Sequence, residues 1–589
     1  MGGIKMEDEL NIKIIKRDNL YIDESDDFID IKELEDEYVS KGIRDDYKYW
    51  TRETPVFISA QTGKGKNHFI EESIITHALE NGYNVLIISN RIANNRQMKK
   101  RIIELTDCTD ILRKYTPEGL DEIEDFKNIS VLGYQKLGGY LNNITYKEKL
   151  HKYSYVIFDE CHFFISDSLF NKSTYSILKS SIKKFQNAVR IYMTATPDEI
   201  LPVIINIEKQ NINRGFNAIN RMNSFNNYTP YYIENKLLYY IFKRNYSYVQ
   251  PKPFNKIEEI INKIKKDASD EKWLIFVTNK EDGLSIEKNL NEPTISTKKS
   301  KDNTNGNIAV FVNTTSRTSS DKDGKVYTQI IDNNKFNCKV LISTSTFDNG
   351  VNFNDDNLKN IVITQYDKIE FLQMLGRKRV NRDEYINLYI WTATNNHFLG
   401  KLRSANNQLT AIKYYNNHYS EFVDKYVNST TKEHDLQKQL FFYVNNNNYG
   451  KFYYNKLAEI KLEIDKSFYM KMIHALTNDK NAYYTEQLSW LGINYESNQY
   501  LNNNSTKNID NLIKYIDRFL GNSLTKSEFN KFAIKFKELS ILAFGKQNGD
   551  RNDRSYGVTK IRKIFKNNNL NYELRSKNEE YTLLKSIKQ

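Results

Sequence analysis

The sequence is poor in the residues that mark several protein classes. Its three cysteines, Cys108, Cys161 and Cys338, are widely spaced and odd in number, so they fit neither a disulfide framework nor a zinc site. Eight prolines and 23 glycines leave no room for a long Pro- or Gly-rich linker. No run of about 18 apolar residues occurs, and the mean hydropathy is −0.67. We therefore expect no membrane association and a place in the reducing cytoplasm.

The length of 589 residues predicts about three to five domains. Lys and Arg number 86 against 74 Asp and Glu, which gives a net charge of +12. The charge is uneven, because residues 1–50 carry −7 and the rest of the chain carries +19. A basic body fits a phosphate-bearing partner, although a codon bias toward Lys and Asn explains the same excess. We interpret the acidic segment as a solvated arm, with a flap over a basic groove as the alternative.

Short apolar runs alternate with helical stretches from Pro55 to about residue 205, and again from about residue 270 to 400. Nearly continuous β-branched and aromatic runs are typical of strands buried on both faces, and their alternation with helices predicts two parallel α/β sheets. The runs of the first set are Val56–Ala60, Asn84–Asn90, Ile129–Tyr134, Tyr155–Glu160 and Arg190–Thr196. Those of the second are Trp273–Thr278, Ile308–Asn313, Lys339–Thr344, Asn360–Tyr366 and Ile386–Thr392. Residues 205–255, between the sets, could include the first strands of the second sheet.

After about residue 400 the strand runs stop, and helical spacing predicts a mainly helical region, for example at Leu512–Leu520 and Phe529–Ala543. From Lys531 to Gln589 basic residues interleave with aromatic ones. The aromatic residues are Phe532, Phe536, Tyr556, Phe565, Tyr572 and Tyr581. They are either the core of a helical domain, which we favour, or a stacking platform for unpaired bases.

The strongest local motif directly follows the run Val56–Ala60 and opens a helix, which is the context of a phosphate loop. Its residues are Gln61, Thr62, Gly63, Lys64, Gly65, Lys66 and Asn67. Glycines let backbone N–H groups converge on phosphate oxygens, and Lys66 would reach the β- and γ-phosphates. Asn67 stands where a Ser or Thr hydroxyl usually binds Mg²⁺. Since an amide oxygen is also a hard ligand, we expect a weakened metal site there.

Two carboxylates, Asp159 and Glu160, end the strand run that begins at Tyr155. A carboxylate at this edge of a parallel sheet, beside a phosphate loop, can hold Mg²⁺. The second carboxylate can orient or deprotonate the attacking water. In the alternative interpretation two acids simply end a strand, and His162 is a satisfied polar residue.

Two weaker motifs follow. Thr194 and Thr196 come after the strand run Arg190–Met193, where small hydroxyl residues can couple a nucleotide site to a neighbouring interface. The segment Gln373–Arg379, with Arg382 beyond it, contains arginines whose planar fork suits γ-phosphate charge in a transition state. Alone, this basic segment is more typical of a solvated surface.

Together, in this order and spacing, the four motifs resemble the superfamily 2 helicase-like ATPases of the DExH type, here with a DECH box at Asp159–His162. The resemblance covers about residues 50–400. It implies two tandem RecA-like P-loop domains that bind ATP and Mg²⁺ in the cleft between them. By this resemblance we expect an ATP-binding domain at 49–215 and a second RecA-like domain at 216–400. The charge and the helical spacing outside it predict an acidic arm at 1–48 and a mainly helical accessory domain at 401–589, for which a surface that contacts nucleic acid is one of two open interpretations.

The resemblance also implies roles for individual residues. Catalytic roles fall to Lys66, Asp159, Glu160, Gln373, Arg377 and Arg379, and nucleotide binding to the phosphate loop with Gly350. Mg²⁺ would lie at Asn67 and Asp159. Coupling between nucleotide and strand falls to His162, Thr194, Thr196 and Asp348, and nucleic-acid contact to Asn90, Arg91, Gln135 and Thr344. The family's second arginine of the last motif falls on Val380, so Arg379 or Arg382 would replace it.

The sequence thus predicts an ATP-dependent helicase that acts on single-stranded or tailed nucleic acid, with DNA favoured over RNA. One alternative is a translocase or remodeller that does not separate strands and works with a protein partner such as a nuclease or a replication factor. A non-hydrolysing nucleic-acid-binding scaffold is the second alternative, for which Asn67 is the only argument.

Overall fold

A computed structural model of the protein describes residues 28–51, 54–90, 92–114, 119–147, 149–211, 236–292, 308–313, 316, 322–344, 352–380, 384–430, 440–446, 449–494, 504–544, 555–567, 570–577 and 580–585. The chain divides into two compact units, Met1–Leu491 and Gly492–Gln589. Within the described residues, no helix combines the length and the apolar character needed to cross a membrane.

Among the described residues, the first sheet of unit one has eight strands in the order β1-β8-β2-β7-β6-β3-β5-β4. Every neighbouring pair is parallel except β4 with β5. The strands are β1 Ile29–Leu34, β2 Pro55–Ser59, β3 Val85–Ser89, β4 Asp125–Phe126, β5 Ile129–Gly133, β6 Tyr155–Phe158, β7 Val189–Thr194 and β8 Leu237–Phe242. Since side chains alternate along a strand, Phe57 of β2 packs in the core on one face, and Val56 and Ile58 pack in the core on the other.

Helices cover both faces of this sheet. They are α1 Val39–Ile43, α2 Lys66–Phe69, α3 Thr76–Asn81, α4 Ile92–Leu105, α5 Asp110–Lys114, α6 Tyr134–Asn142, α7 Ile144–Lys147, α8 Phe163–Ser166 and α9 Thr174–Lys184. A π-helical turn, Ile70–Ile75, joins α2 to α3, and residues 201–211 are also helical. Short 3₁₀ turns lie at Asp46–Tyr49, Gly119–Asp121 and Lys149–Lys152.

The second sheet has, in the part of the chain that the structure describes, six strands that all pair in parallel, in the order β11-β12-β10-β13-β14-β9. They are β9 Val249–Phe254, β10 Lys272–Phe276, β11 Ala309–Val312, β12 Val340–Ser343, β13 Leu358–Ile363 and β14 Ile386–Trp391. Its helices are α10 Ile257–Lys266, α11 Lys280–Asn291, α12 Lys322–Asn333 and α13 Lys368–Leu375. β9 contains Pro251 and Pro253 and lies at the sheet edge, where a missing N–H is tolerated.

The remaining described residues of unit one form helices and one hairpin. The helices are α14 Asn395–Asn417, α15 Tyr419–Phe422, α16 Lys456–Asn478 and α17 Ala482–Trp490, with a π-helical turn at Val423–Val427. The antiparallel strands β15 Phe441–Asn446 and β16 Tyr449–Tyr454 form the hairpin. Helix α16 packs along α14, and its Leu457 belongs to the core of the first sheet.

Unit two contains α18 Asn504–Asp517, α19 Lys526–Phe544 and α20 Val558–Asn567. Its three-stranded antiparallel sheet is made of β17 Ser523–Leu524, β18 Tyr572–Lys577 and β19 Glu580–Lys585. Phe532, Phe536, Tyr556 and Phe565 are buried in its core. The core interpretation of these aromatics is therefore right, and the stacking-platform alternative is wrong for these four.

The predicted fold class, two tandem RecA-like α/β domains with parallel sheets followed by a mainly helical region, is confirmed. Two expected bounds need correction. The strand Ile29–Leu34, expected in a solvated arm, pairs with β8 and extends the first sheet. β8 itself, Leu237–Phe242, was expected in the second domain, but it pairs with β2 of the first sheet.

Candidate active site

The phosphate loop lies between β2 and α2, at the carboxyl edge of the first sheet. Gly63 and Gly65 have φ values of 96° and 76°, in the left-handed region that glycine adopts without strain. Lys66 is 7% exposed, and its Nζ donates a hydrogen bond to the Ala60 carbonyl at 2.9 Å. The ammonium group is thereby folded back over the loop, close to where phosphate oxygens bind in loops of this type.

Asp159 and Glu160 follow β6 on the same edge, and Asp159 is 2% exposed. Glu160 Oε1 lies 3.9 Å from Lys66 Nζ. Burial would raise the pKa of Glu160, but the charge of Lys66, a hydrogen bond from His162 and the charge of Arg377 together lower that pKa to about 2. Glu160 is therefore ionised at neutral pH and can orient a water molecule by accepting a hydrogen bond from it.

His162 connects the carboxylates to the next strand. Its Nδ1 lies 3.0 Å from Thr194 Oγ1 and 3.3 Å from Glu160 Oε2. Thr194 Oγ1 in turn accepts a hydrogen bond from the Thr196 backbone N–H at 3.0 Å. The side chains of His162, Thr194 and Thr196 are buried. The geometry thus links the end of β7 to Glu160 through one imidazole ring.

Two arginines that follow helix α13 of the second domain, Arg377 and Arg379, lie beside the phosphate loop. α13 ends at Leu375, and a Cβ added to Gly376 would lie 2.6 Å from Thr62 Cβ, so only glycine allows this approach. A Cβ on Gly63 would lie 3.0 Å from Arg379 Nη1. Burial, followed by the charge of Arg377, lowers the pKa of Arg379 to about 10. The two arginines therefore lie over the loop in a closed arrangement of the two domains.

A cleft of about 350 Å³ lies between these elements. It is lined by the predicted residues Thr62, Gly63, Gly65, Lys66, Asn67, Asn90, Asp159, Glu160, Arg377 and Arg379. Lysine, two arginines and two carboxylates thus surround a single space, which suits a polyphosphate held with a divalent cation.

Several predicted residues point elsewhere. The Gln61 amide exchanges two hydrogen bonds with the backbone of Asn245, and Lys64 Nζ donates to the Asp36 carbonyl at 3.1 Å. Gln373 is buried outside the cleft, where its Oε1 accepts from Arg377 Nη2 at 2.7 Å. These side chains hold neighbouring chain segments in place and do not reach the cleft.

The strand-contact predictions are only partly described. Asn90 lines the cleft after β3, Thr344 is half-buried after β12, and Gln135 is exposed at the start of α6. Arg91, Asp348, Gly350 and Arg382 lie outside the described residues.

Sequence reasoning missed one wall of the cleft. Gln97, Met98 and Arg101 of α4 face it, and Arg101 Nη1 lies 2.6 Å from Glu71 Oε2. Burial raises the pKa of Glu71, although Arg101 opposes the shift. Their spacing on α4 puts the three residues on one helical face, but that pattern alone does not distinguish a cleft from a solvated surface.

Mg²⁺ fits the residues present. It prefers oxygen ligands, and the cleft offers the buried Asp159 carboxylate together with the Asn67 amide at the start of α2. When bound to a nucleotide, Mg²⁺ would neutralise charge on the β- and γ-phosphates.

Residues 29–199 match a family model described as type III restriction enzyme, res subunit (ResIII). The match begins at the first residue of β1, ends just after β7, and includes the phosphate loop and the Asp159-Glu160 strand end. For these matched residues, the resemblance to superfamily 2 helicase-like ATPases is therefore confirmed. No curated protein matches the sequence.

Solved structures with a similar fold include S. cerevisiae Dbp5 bound to RNA and ADP BeF3, with 13% identity, a TM-score of 0.38, and coverage of 66% of this chain and 89% of that one. Mycobacterium smegmatis helicase Lhr bound to ssDNA and AMP-PNP has 13% identity and a TM-score of 0.38, with coverage of 60% and 45%. Escherichia coli DEAH/RHA helicase HrpB has 13% identity and a TM-score of 0.35, with coverage of 58% and 41%. At such low similarity the likeness says nothing about substrate.

Proposed function

We propose that this protein is a nucleic-acid-dependent ATPase of the helicase type, which hydrolyses ATP to move along and unwind DNA or RNA. The observation that carries the proposal is the approach of Arg377 and Arg379 to the phosphate loop, beside Lys66 and Glu160. Groups from two separate sheets meet at one space. A ligand that bridges them favours the closed arrangement, and its hydrolysis favours opening.

In this proposal Lys66 and the glycine-rich loop hold the phosphates on the first domain. Glu160, which is ionised, orients the water that attacks the γ-phosphorus, and the bond between that phosphorus and the β,γ-bridging oxygen breaks to give ADP and phosphate. Arg377 and Arg379 offset the charge that develops on the γ-phosphate oxygens and the leaving group. Gln373 positions Arg377 through its two contacts to that side chain, at 3.1 Å and 2.7 Å.

The nucleic-acid strand would lie across the carboxyl edges of both sheets, where Asn90 and Thr344 follow β3 and β12. Binding through the phosphates is largely independent of the nucleotide sequence and weakens as the salt concentration rises. His162, between Glu160 and Thr194, would transmit the state of the nucleotide to the end of β7. We favour DNA over RNA, with a nuclease or replication factor as a compatible protein partner.

Strand displacement on forked and tailed duplexes, with matched DNA and RNA substrates, tests this function. We expect ATP-dependent release of a labelled strand by the wild type and none by the Glu160→Gln variant. Hydrolysis without release would favour a translocase or remodeller. If nucleic acid binds but ATP is not hydrolysed, the chain is a scaffold and the proposal is wrong.

A further inference from the structure

A buried lysine of the accessory helix α16 lies between the two RecA-like domains, away from the cleft. Lys461 Nζ lies 3.1 Å from Glu199 Oε1, 2.8 Å from Asp367 Oδ2 and 2.9 Å from Asp465 Oδ1. Its side chain is only 6% exposed. Glu199 belongs to the first domain, Asp367 to the second, and Asp465 to α16 itself, so this one ammonium group joins three parts of the fold.

The two acids from the domains lie beside segments that carry the active site. Glu199 comes three residues after Thr196, in the turn that follows β7. Asp367 is the N-cap of α13, and its Oδ1 accepts hydrogen bonds from the Ile369 and Glu370 backbone N–H groups at 2.8 Å and 3.1 Å. α13 ends two residues before Arg377. Because the eight-residue helix α13 connects them, a displacement of Asp367 would also displace the segment that carries the arginines.

Neighbouring contacts fasten α16 and α17 to both domains. Asn455, the N-cap of α16, donates to the Ser168 and Asn171 carbonyls and to Thr174 of the first domain. On the other side, the Trp490 ring of α17 lies 5.4 Å from Phe371 in α13. The first domain thus anchors the N-terminus of α16, five to six residues before Lys461, and the following helix α17 packs on the second domain.

Lys461 supplies the positive charge that lets three acidic side chains lie close together. Three carboxylates face one ammonium group in a site shielded from water, and without Lys461 they would repel one another. Burial, with the charges of Asp367 and Asp465, raises the pKa of Glu199 to about 7, although Lys461 opposes this shift. A second ion pair, Lys368 with Asp198, also spans the two domains beside the cluster.

We propose that Lys461 is a positioning residue that ties Glu199 of the first domain to Asp367 of the second, and thereby holds Arg377 and Arg379 over the phosphate loop. The expected effect on kcat rests on the proposed ATPase function. The expected effect on the position of α13 rests on the contacts alone. In this proposal the accessory helix keeps the domains in register for hydrolysis.

The test uses the full chain with Lys461→Met, which keeps the length of the side chain and removes its charge, and Lys461→Arg, which keeps the charge. Lys471→Met is the matched control, because Lys471 lies on the same helix, is 48% exposed, and pairs only with Glu486 of α17 among the described residues. Two experiments are made: hydrogen exchange of α13 without nucleotide, and steady-state kinetics that give kcat and KM for ATP with saturating single strands.

We expect Lys461→Met to speed exchange of the α13 amides at Ile369 and Glu370 and to lower kcat by roughly ten- to a hundredfold, the size of loss that a misplaced catalytic group causes. The KM for ATP should change less than about threefold, because the phosphate loop remains intact. Lys461→Arg should restore most of kcat, and Lys471→Met should match the wild type in both measurements.

If Lys461→Met does not fold, Glu199→Gln carries the test, since the amide keeps the shape of the side chain and removes the charge that faces Lys461 from the first domain. Unchanged α13 exchange and unchanged kcat in a folded variant would overturn the inference. If the wild type hydrolyses no ATP but Lys461→Met still speeds α13 exchange, the link that Lys461 makes between Glu199 and Asp367 is supported. The proposed ATPase function is then wrong.

Discussion

At the residue scale, the order of the motifs predicts which side chains share a cleft but not where each one points. Lys66, Asp159, Glu160 and Arg377 meet as expected from strand ends on one edge of each sheet. Gln61, by contrast, turns away to the backbone of Asn245. Its partner lies 184 positions along the chain, so only the tertiary structure determines that direction.

Asn67 gives the sharpest test of the metal site. An amide oxygen binds Mg²⁺ less readily than a correctly placed hydroxyl in a strict octahedral shell, so Asn67→Thr should lower the Mg²⁺ concentration for half-maximal ATP hydrolysis by about threefold or more. The measurement is the hydrolysis rate across a Mg²⁺ titration. Asn142→Thr, at the exposed end of α6, is the control. A lower rate in Asn67→Thr at every Mg²⁺ concentration would show that Asn is not merely a poor substitute.

At the scale of elements, hydrophobic runs located most strands of both sheets within a few residues. The runs do not mark β9, although residues 205–255 could include a first strand of the second sheet, because Pro251 and Pro253 interrupt the pattern, which an edge strand tolerates. They also missed β1, whose exposed charged residues at an edge resemble a tail. The membership of β8 could not be predicted either, since strand order in a sheet is set by long-range packing.

A buried ion pair fastens β7 to the helical residues 201–211. Glu208 accepts hydrogen bonds from Arg190 Nε at 2.7 Å and from Tyr192 OH at 2.6 Å, and both charged side chains are at most 1% exposed. Glu208→Gln would leave the Arg190 charge buried without a counterion, at a cost of about 3–5 kcal/mol. Calorimetry should show a lower melting temperature for the first-domain transition. Glu538→Gln, in an exposed pair, should change little, and an unchanged Glu208→Gln transition would contradict the account.

His397, at the start of α14, should make stability depend on pH. Its ring lies 5.0 Å from that of Trp391 and 5.2 Å from that of Tyr366. Burial, with the charge of Lys401, lowers its pKa to about 4. The unfolded chain therefore binds a proton near pH 6.5 that the folded chain resists, so stability falls as pH decreases from about 6.5 to 4.

The comparison is between the wild type and His397→Phe, with the exposed His474→Phe as control. Over this pH range the melting temperature of the wild type should fall by at least about 2 °C more than that of His397→Phe, since about 1 kcal/mol shifts a midpoint by 2–4 °C in a domain of 150–250 residues. Equal slopes for all three proteins would show that His397 does not titrate in this range.

At the scale of the whole molecule, charge divides along the chain. Residues 492–589 contain 18 Lys and Arg against 10 Asp and Glu, for a net charge of +8. α20 of this unit buries Ile561, Ile564 and Phe565 and exposes Arg562, Lys563 and Lys566. Because these aromatic side chains are buried in the core, they cannot stack on bases. Binding of nucleic acid by this unit would therefore depend on its basic surface.

Neutralising that surface should weaken binding and reduce its dependence on salt. The triple variant Arg562→Gln, Lys563→Gln, Lys566→Gln should lower the slope of log affinity against log salt by about 0.7 for each phosphate of a single strand that the variant no longer neutralises. Fluorescence anisotropy with labelled DNA and RNA measures the slope. A charge-matched triple on α10, Lys263→Gln, Lys265→Gln and Lys266→Gln, should have a smaller effect. Equal reductions in both triples would show a general charge effect and not a specific binding surface.

The central claim is that the cleft formed by Lys66, Glu160, Arg377 and Arg379 hydrolyses ATP in response to nucleic acid. The most direct measurement is phosphate release by the wild type and by Glu160→Gln, each with and without single-stranded DNA and RNA. We predict that nucleic acid raises the wild-type rate and that Glu160→Gln lowers it by about 10²–10⁴-fold while nucleotide still binds. A wild-type rate no higher than that of Glu160→Gln, with either nucleic acid present, would contradict the account.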